Sequence, residues 1–121
     1  MTLIVICLAN YIFGGTYYNY NDEGIRTVES IEIHVDHSAA DPNTEYTMAV
    51  IYLAGASHYT LALETNGVRN RGATFIYTQL LQALTNNLPV QLYYLYDWGF
   101  VGEVSGKNFS NKWVRGVRII N

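Results

Sequence analysis

Three histidines and several carboxylates are the residues of this chain best suited to metal or acid–base chemistry. His34 and Asp36 alternate along one face of a predicted strand, and His58 begins another, so these three side chains could share a metal ion. The same alternation is more typical of a solvated strand face that carries incidental histidines. We therefore predict no metal site and no cofactor.

Catalytic patterns are mostly absent from the chain. Glu29 with Glu32, or Glu32 with Asp36, could form the carboxylate pair of a glycoside hydrolase, but scattered carboxylates on wet strand faces are the simpler interpretation. The sequence contains no G-x-S-x-G, no complete phosphate-binding loop and no H-E-x-x-H. The one cysteine, Cys7, lies in an apolar run, where a thiolate is not stabilised. We predict no catalytic residue and no enzymatic activity.

Composition narrows the kinds of partner. The chain has 121 residues, of which 50% are hydrophobic and 14% charged, so one domain with one apolar core is expected. Its net charge of −3 is a poor match for nucleic acid, which needs a basic face. Eleven tyrosines are unusual for this length. Tyrosine is common in binding surfaces, although it also favours strands for purely structural reasons.

Five segments are rich in apolar and β-branched residues and are bounded by turn residues, and three of them alternate between apolar and polar residues, which predicts β-strands. The predicted strands cover 25–37, 46–54, 58–65, 90–98 and 113–120. The second of them is rich in apolar residues on both faces. A loop over 99–112 joins the last two strands and is long enough for a short hairpin.

One helix is predicted between the third and fourth strands. Apolar residues from Ala73 to Leu88 recur every three or four positions, Thr74 is a suitable N-cap, and Pro89 follows the end of the pattern. The order of three strands, a helix and two strands is that of the OB-fold. We therefore predict a mostly β protein, a five-stranded antiparallel OB-fold barrel with one α-helix between strands 3 and 4.

The N-terminal segment over 1–24 is distinct from the predicted OB-fold domain over 25–121. Its apolar run at 3–9 is too short to span a membrane and resembles the core of a secretory signal peptide, but it lacks a basic start. It could be the remnant of a signal peptide, a strand or helix that packs in the fold or on a partner, or another type of anchor. The polar stretch over 14–24 is typical of a linker.

The block over 71–94 resembles the B subunits of one-A, five-B bacterial toxins, and most closely the subtilase cytotoxin B subunits. The matching features are Gly72-Ala73, a hydroxyl residue and Phe75, then Gln82-Ala83-Leu84 in the helix, Pro89-Val90, and the doublet Tyr93-Tyr94. These B subunits are small OB-folds that form homopentameric rings and bind cell-surface glycans, many of them sialylated. Members of this family carry disulfides, which a chain with one cysteine cannot form within itself.

The resemblance implies a glycan-binding site. The second tyrosine of the doublet matches Tyr94, and the pattern of an acidic residue, Gly and a later hydroxyl residue places Glu23 and Thr27 at the other two contact positions. Thr27 could hold a sugar carboxylate, Arg26 could pair with an acidic sugar, and Tyr94 could pack against a sugar ring. Tyr94 also lies on the same strand face as Val90 and Leu92, so it could instead belong to the core with only its hydroxyl near a ligand.

The residues and the resemblance together predict a secreted, homo-oligomeric protein that recognises cell-surface oligosaccharides, with sialylated ones among the candidates. A pentamer is the favoured oligomer, and a toxic A subunit is an implied partner. Neither nucleic acid nor a membrane span is expected. The alternative is a structural or assembly protein that uses an OB barrel as a self-associating building block.

Overall fold

The computed structural model describes residues 2–6, 20–37, 42–96, 103–104, 107–108 and 111–121. Within them the chain is mostly β, with one helix. The strands are β1 (Thr2–Ile6), β2 (Ile25–His37), β3 (Glu45–Leu53), β4 (His58–Thr65), β5 (Val68–Arg69), β6 (Pro89–Tyr96), β7 (Glu103–Val104), β8 (Lys107–Asn108) and β9 (Lys112–Ile120). The helix α1 (Arg71–Asn86) lies between β5 and β6.

Six strands of five or more residues form one sheet, with the two-residue β5 at an edge. The order is β1-β9-β6-β2-β3-β4-β5, and β4 also pairs with β9, so five of the strands form a ring. The prediction of a wholly antiparallel sheet was wrong because β4 and β9 run parallel where Thr60 meets Trp113. The other pairings are antiparallel, and the sheet is therefore mixed.

Strand β3, which is rich in apolar residues on both faces, is buried on both. Ala49 and Ile51 point into the main core and are fully buried. Met48 and Val50 point the other way and pack with Trp113 in a second apolar cluster. Because successive strand residues face opposite sides, a strand without polar alternation must be covered twice.

The helix begins earlier than its sequence predicts. Thr74 is not the N-cap: Asn70 caps α1, and its side chain accepts a hydrogen bond from the backbone N–H of Ala73. Thr74 instead lies one turn inside, where its hydroxyl donates to the Asn70 carbonyl oxygen. Asn87, in the left-handed conformation, ends the helix directly before β6. The buried side of α1 consists of Ala73, Ile76, Leu80 and Ala83.

The N-terminal segment contributes a strand to the sheet. β1 pairs with β9 over five residues, from Thr2 opposite Ile120 to Ile6 opposite Gly116. It therefore runs beside the part of β9 that β4 does not pair with. Residues 7–19, which hold most of the predicted polar linker, lie outside the described part of the chain. The signal-peptide interpretation stays a prediction.

The long loop between β6 and β9 contains a short hairpin, for which its predicted length leaves room. Glu103 of β7 pairs with Asn108 of β8, and Val104 pairs with Lys107. β7 also contacts β2.

Candidate functional site

Residues 20–24, called the strap below, are fixed against the sheet rather than loose. Asn21 exchanges two backbone hydrogen bonds of 2.9 Å with Tyr94 of β6. The Asp22 carboxylate accepts hydrogen bonds from Gln91 at 2.8 Å and from the Gly24 backbone at 2.9 Å. Through these contacts the strap pairs with β6 next to the start of β2, and the Glu23 side chain is directed toward the ring of strands.

Four other side chains gather around Glu23. The Lys112 ammonium donates to Glu23 Oε1 and, at 2.6 Å, to Ser57 Oγ. Ser57 Oγ and the Tyr94 hydroxyl lie 3.4 and 3.5 Å from the same carboxylate oxygen. Together with Tyr59, these residues are called the Glu23 cluster. The strap, the β3–β4 turn, β4, β6 and β9 each contribute one side chain.

Aromatic rings surround the ammonium of Lys112. Its Nζ lies 5.7 Å from the centre of the Tyr59 ring and 5.4 Å from that of Tyr94, which are cation–π distances. Tyr96, paired directly across from Lys112, meets Tyr94 edge-on at 5.6 Å. Tyr59 and Tyr94 are almost fully buried, whereas Tyr96 is 45% exposed. Only the outermost ring of the three therefore offers a wide surface to solvent.

The Glu23 cluster lies at one end of the ring of strands, the end farther from the point where α1 leads into β6. The helix ends just before Pro89, so Val90 and Leu92 lie near it and Tyr94 and Tyr96 lie progressively farther away along β6. At about 3.3 Å per residue, Tyr96 is some 20 Å from Val90. Along β6, buried core residues therefore give way to tyrosines and polar side chains at this end of the ring of strands, which is called the rim below.

The surroundings shift the proton affinity of three members of the cluster. Burial acts to raise the pKa of Glu23, but hydrogen bonds and charge from Lys112, with Tyr59, outweigh it and hold that pKa below its ordinary value. Burial, followed by the nearby Glu23 carboxylate, raises the pKa of Tyr59. Burial, followed by Tyr96 and Glu23, raises the pKa of Tyr94. At neutral pH Glu23 is therefore ionised, and Tyr59 and Tyr94 are neutral.

The Tyr59 hydroxyl is a buried polar group near the carboxylate. It lies close enough to Glu23 for that charge to affect its pKa, yet no described group meets it with hydrogen-bond geometry. Buried hydroxyls are usually hydrogen-bonded, so the Tyr59 hydroxyl is an exception among the buried polar groups of the described residues.

The structure brings together two of the four sequence-predicted site residues through their side chains. Glu23 and Tyr94 meet in the cluster, and Tyr94 is a buried core residue, which is the second of the two alternatives; its hydroxyl reaches Glu23 and its ring packs against Lys112. Arg26 lies beside the cluster, but its guanidinium donates to the backbone carbonyls of Glu23 and Ala54, at 2.9 and 3.3 Å. A side chain on Gly55 would meet that guanidinium at 2.8 Å. Arg26 therefore braces the strap and the β3–β4 turn.

Thr27 is tied to the same turn through its backbone only. Its carbonyl oxygen accepts from the Ala54 N–H at 2.9 Å, and its side chain makes none of the described contacts of the cluster. The role of Thr27 in binding a sugar stays a prediction.

Sequence reasoning missed Lys112, Ser57 and Tyr59. Each lies on a different element far along the chain from Glu23, and none belongs to a motif. The available signal was Tyr96, which shares the strand face of Tyr94 two positions later and so marks where that face leaves the core.

A second group of polar side chains lies on the outer face of β2 and β3. Glu32 Oε1 accepts from the Tyr52 hydroxyl at 3.1 Å and lies 3.2 Å from His34 Nε2, and the Tyr52 ring stacks on His58. These four residues are called the Glu32 cluster. In the described part of the chain, no three histidine, cysteine or acidic side chains are placed to hold a metal ion.

Neither a membrane-spanning helix, in the part of the chain that the structure describes, nor a related protein is found. Among the described residues, no helix is both long and apolar enough to cross a membrane. Searches of this chain against protein-family models, curated proteins and solved structures found no match.

Proposed function

We propose that this chain is a non-enzymatic, glycan-binding protein that recognises cell-surface oligosaccharides and acts as a secreted homo-oligomer like the toxin B subunits. The observation that carries the proposal is the Glu23 cluster with the exposed Tyr96 beside it. A carboxylate, a serine hydroxyl and an aromatic ring at one rim are the groups that hold sugars, through their hydroxyls and their apolar ring faces.

We also propose that the ring of strands is an OB-fold barrel. Support comes from the helix between the third and fourth ring strands and from closure of the ring between β4 and β9. An OB-fold is a five-stranded, partly open Greek-key barrel that binds oligosaccharides or oligonucleotides on one side. The net charge of −3 favours the first of these ligands.

An exposed aromatic residue provides the sharpest test of glycan binding. Tyr96→Ala removes a ring that is 45% exposed, so folding should be little affected while binding to a glycan array falls at least about tenfold. Phe75→Ala is the matched control, because Phe75 is 56% exposed on α1, away from the rim, and its removal should leave binding unchanged. Array silence from a folded, oligomeric wild-type protein would sink the proposal.

A self-associating building block remains the second candidate function because β2 carries exposed apolar side chains. Beyond Thr27, β2 is paired only with β3 among the described strands, and Ile33 and Val35 are 45% and 56% exposed there. Strand edges of this kind are common places for chains to associate. Light scattering of Ile33→Lys with Val35→Lys should show a smaller oligomer than wild type. A pentamer and a toxic A subunit stay proposals from the toxin resemblance.

A further inference from the structure

The charges of the Glu23 cluster restrict which glycan it can take. If the proposed glycan function holds, the groups that the rim presents determine whether an acidic or an uncharged sugar fits the same site.

Lys112 of the cluster and Arg26 beside it both already donate hydrogen bonds to groups of the protein. Lys112 bonds to Glu23 and Ser57 and lies over two tyrosine rings. Arg26 donates to two backbone carbonyls and packs against Gly55. An anionic sugar would have to take Lys112 from Glu23 and leave that carboxylate partly buried without its cation, which is unfavourable.

The less engaged polar group of the cluster is an acceptor. The side-chain hydrogen bonds from Lys112, Ser57 and Tyr94 all go to Glu23 Oε1, which leaves Oε2 as the less engaged oxygen of the carboxylate. The Glu23 side chain is 24% exposed, so Oε2 can be reached. An ionised carboxylate only accepts, and it therefore suits the hydroxyl groups of a sugar and repels a sugar carboxylate or sulfate.

We propose that the site binds an uncharged sugar, with neighbouring hydroxyls donating to Glu23 Oε2 and the apolar ring face lying on Tyr96. Lys112 acts as a positioning residue that keeps the carboxylate ionised and turned toward the rim. This assignment departs from the sialylated ligands that the toxin resemblance implies.

A paired glycan panel tests the assignment. The full chain is applied to immobilised glycans that end in N-acetyllactosamine, with and without a terminal sialic acid. We expect the uncharged members to bind at least about tenfold more strongly. Glu23→Gln should weaken binding of the uncharged members and, because it releases Lys112, narrow or reverse the preference. Glu32→Gln, which makes the same charge change on the outer face, should leave the preference intact.

The possible outcomes distinguish failure of the proposed glycan function from failure of the proposed preference for an uncharged sugar. Absence of binding to either member of each pair overturns the glycan function itself. Binding that is equal for both members, or stronger for the sialylated one, overturns the assignment of an uncharged sugar and leaves the glycan function standing. Because the wild-type panel alone decides this, the test does not depend on whether Glu23→Gln folds.

Discussion

Two carboxylates of this protein, Glu23 and Glu32, each lie within reach of a tyrosine hydroxyl, but they differ in burial and in their basic partner. Glu23 is 24% exposed and pairs with a lysine that is 19% exposed. Glu32 is 42% exposed and lies beside a histidine, whose charge depends on pH. The first sits at the rim of the ring and the second on its outer face.

The Glu23 cluster has the features of a binding site, whereas the Glu32 cluster is a set of polar residues on a solvated sheet face. Around Glu23, side chains converge from the β3–β4 turn, β4, β6 and β9, which meet only because the ring closes between β4 and β9, whereas the Glu32 cluster comes from β2, β3 and β4, which pair one after another along the chain. Side chains on adjacent strands meet as a consequence of pairing alone. Convergence of distant segments on a half-buried charge pair needs the whole fold, and such sites are more often functional.

Removing the lysine should give the largest difference between the two clusters. Lys112→Met leaves Glu23 partly buried without its cation, and we expect the free energy of unfolding to fall by about 2 kcal/mol. Urea unfolding followed by circular dichroism measures it. Arg115→Met removes a cation from the same strand that has no described ion pair, and it should cost much less. Equal losses from the two variants would show that the pair with Glu23 contributes nothing specific.

Acid should act on the Glu23 cluster with a smaller effect. Because the folded-state pKa of Glu23 lies below its ordinary value of 4.5, the unfolded chain takes up the proton first as pH falls. The stabilisation is therefore complete above pH 4.5 and is lost as pH falls through the folded-state pKa. Unfolding measured from pH 7 down to about 3 should show a shallower acid loss in Lys112→Met than in wild type. Parallel curves for the two proteins would contradict the coupling.

The smallest effect is expected at the outer face. Tyr52→Phe removes the hydroxyl that donates to Glu32, and the exposed carboxylate can bond to water instead. The free energy of unfolding should change by less than about 0.5 kcal/mol. Thermal unfolding by calorimetry is sufficient to measure it, and a loss as large as that in Lys112→Met would remove the distinction between the clusters.

Much of the fold was predictable because local patterns determine it. The bounds of β2 and β4 agree with their predicted ranges, since the alternation of apolar and polar residues ends at His37, before the turn that contains Asp41-Pro42-Asn43, and at Thr65, before Asn66-Gly67. The N-cap was misplaced because Asn70 and Thr74 are both good capping residues, and the poor helix former Gly72 lies between them. The parallel contact of Thr60 with Trp113 has no local signal, because it depends on how the ring closes.

The candidate site was only partly predictable for a similar reason. Glu23 and Tyr94 were found through a resemblance, and the burial of Tyr94 followed from its strand face. Lys112 begins the last strand of the sheet with no motif around it, and only the ring brings it to Glu23. Long-range charge pairing of this kind leaves no pattern of spacing in the sequence.

The place of β9 in the ring has a consequence for the order of folding. β9 pairs with β6, β4 and β1, and it also supplies Trp113 to the second apolar cluster. The early strands and the helix can form local contacts, but the ring of strands cannot close until β9, which begins at Lys112, pairs with β4 and β6. Contacts between such distant parts of a chain slow the search for the native state. A nascent chain that lacks this segment would expose the apolar faces of β4 and β6, making it a natural client for a chaperone.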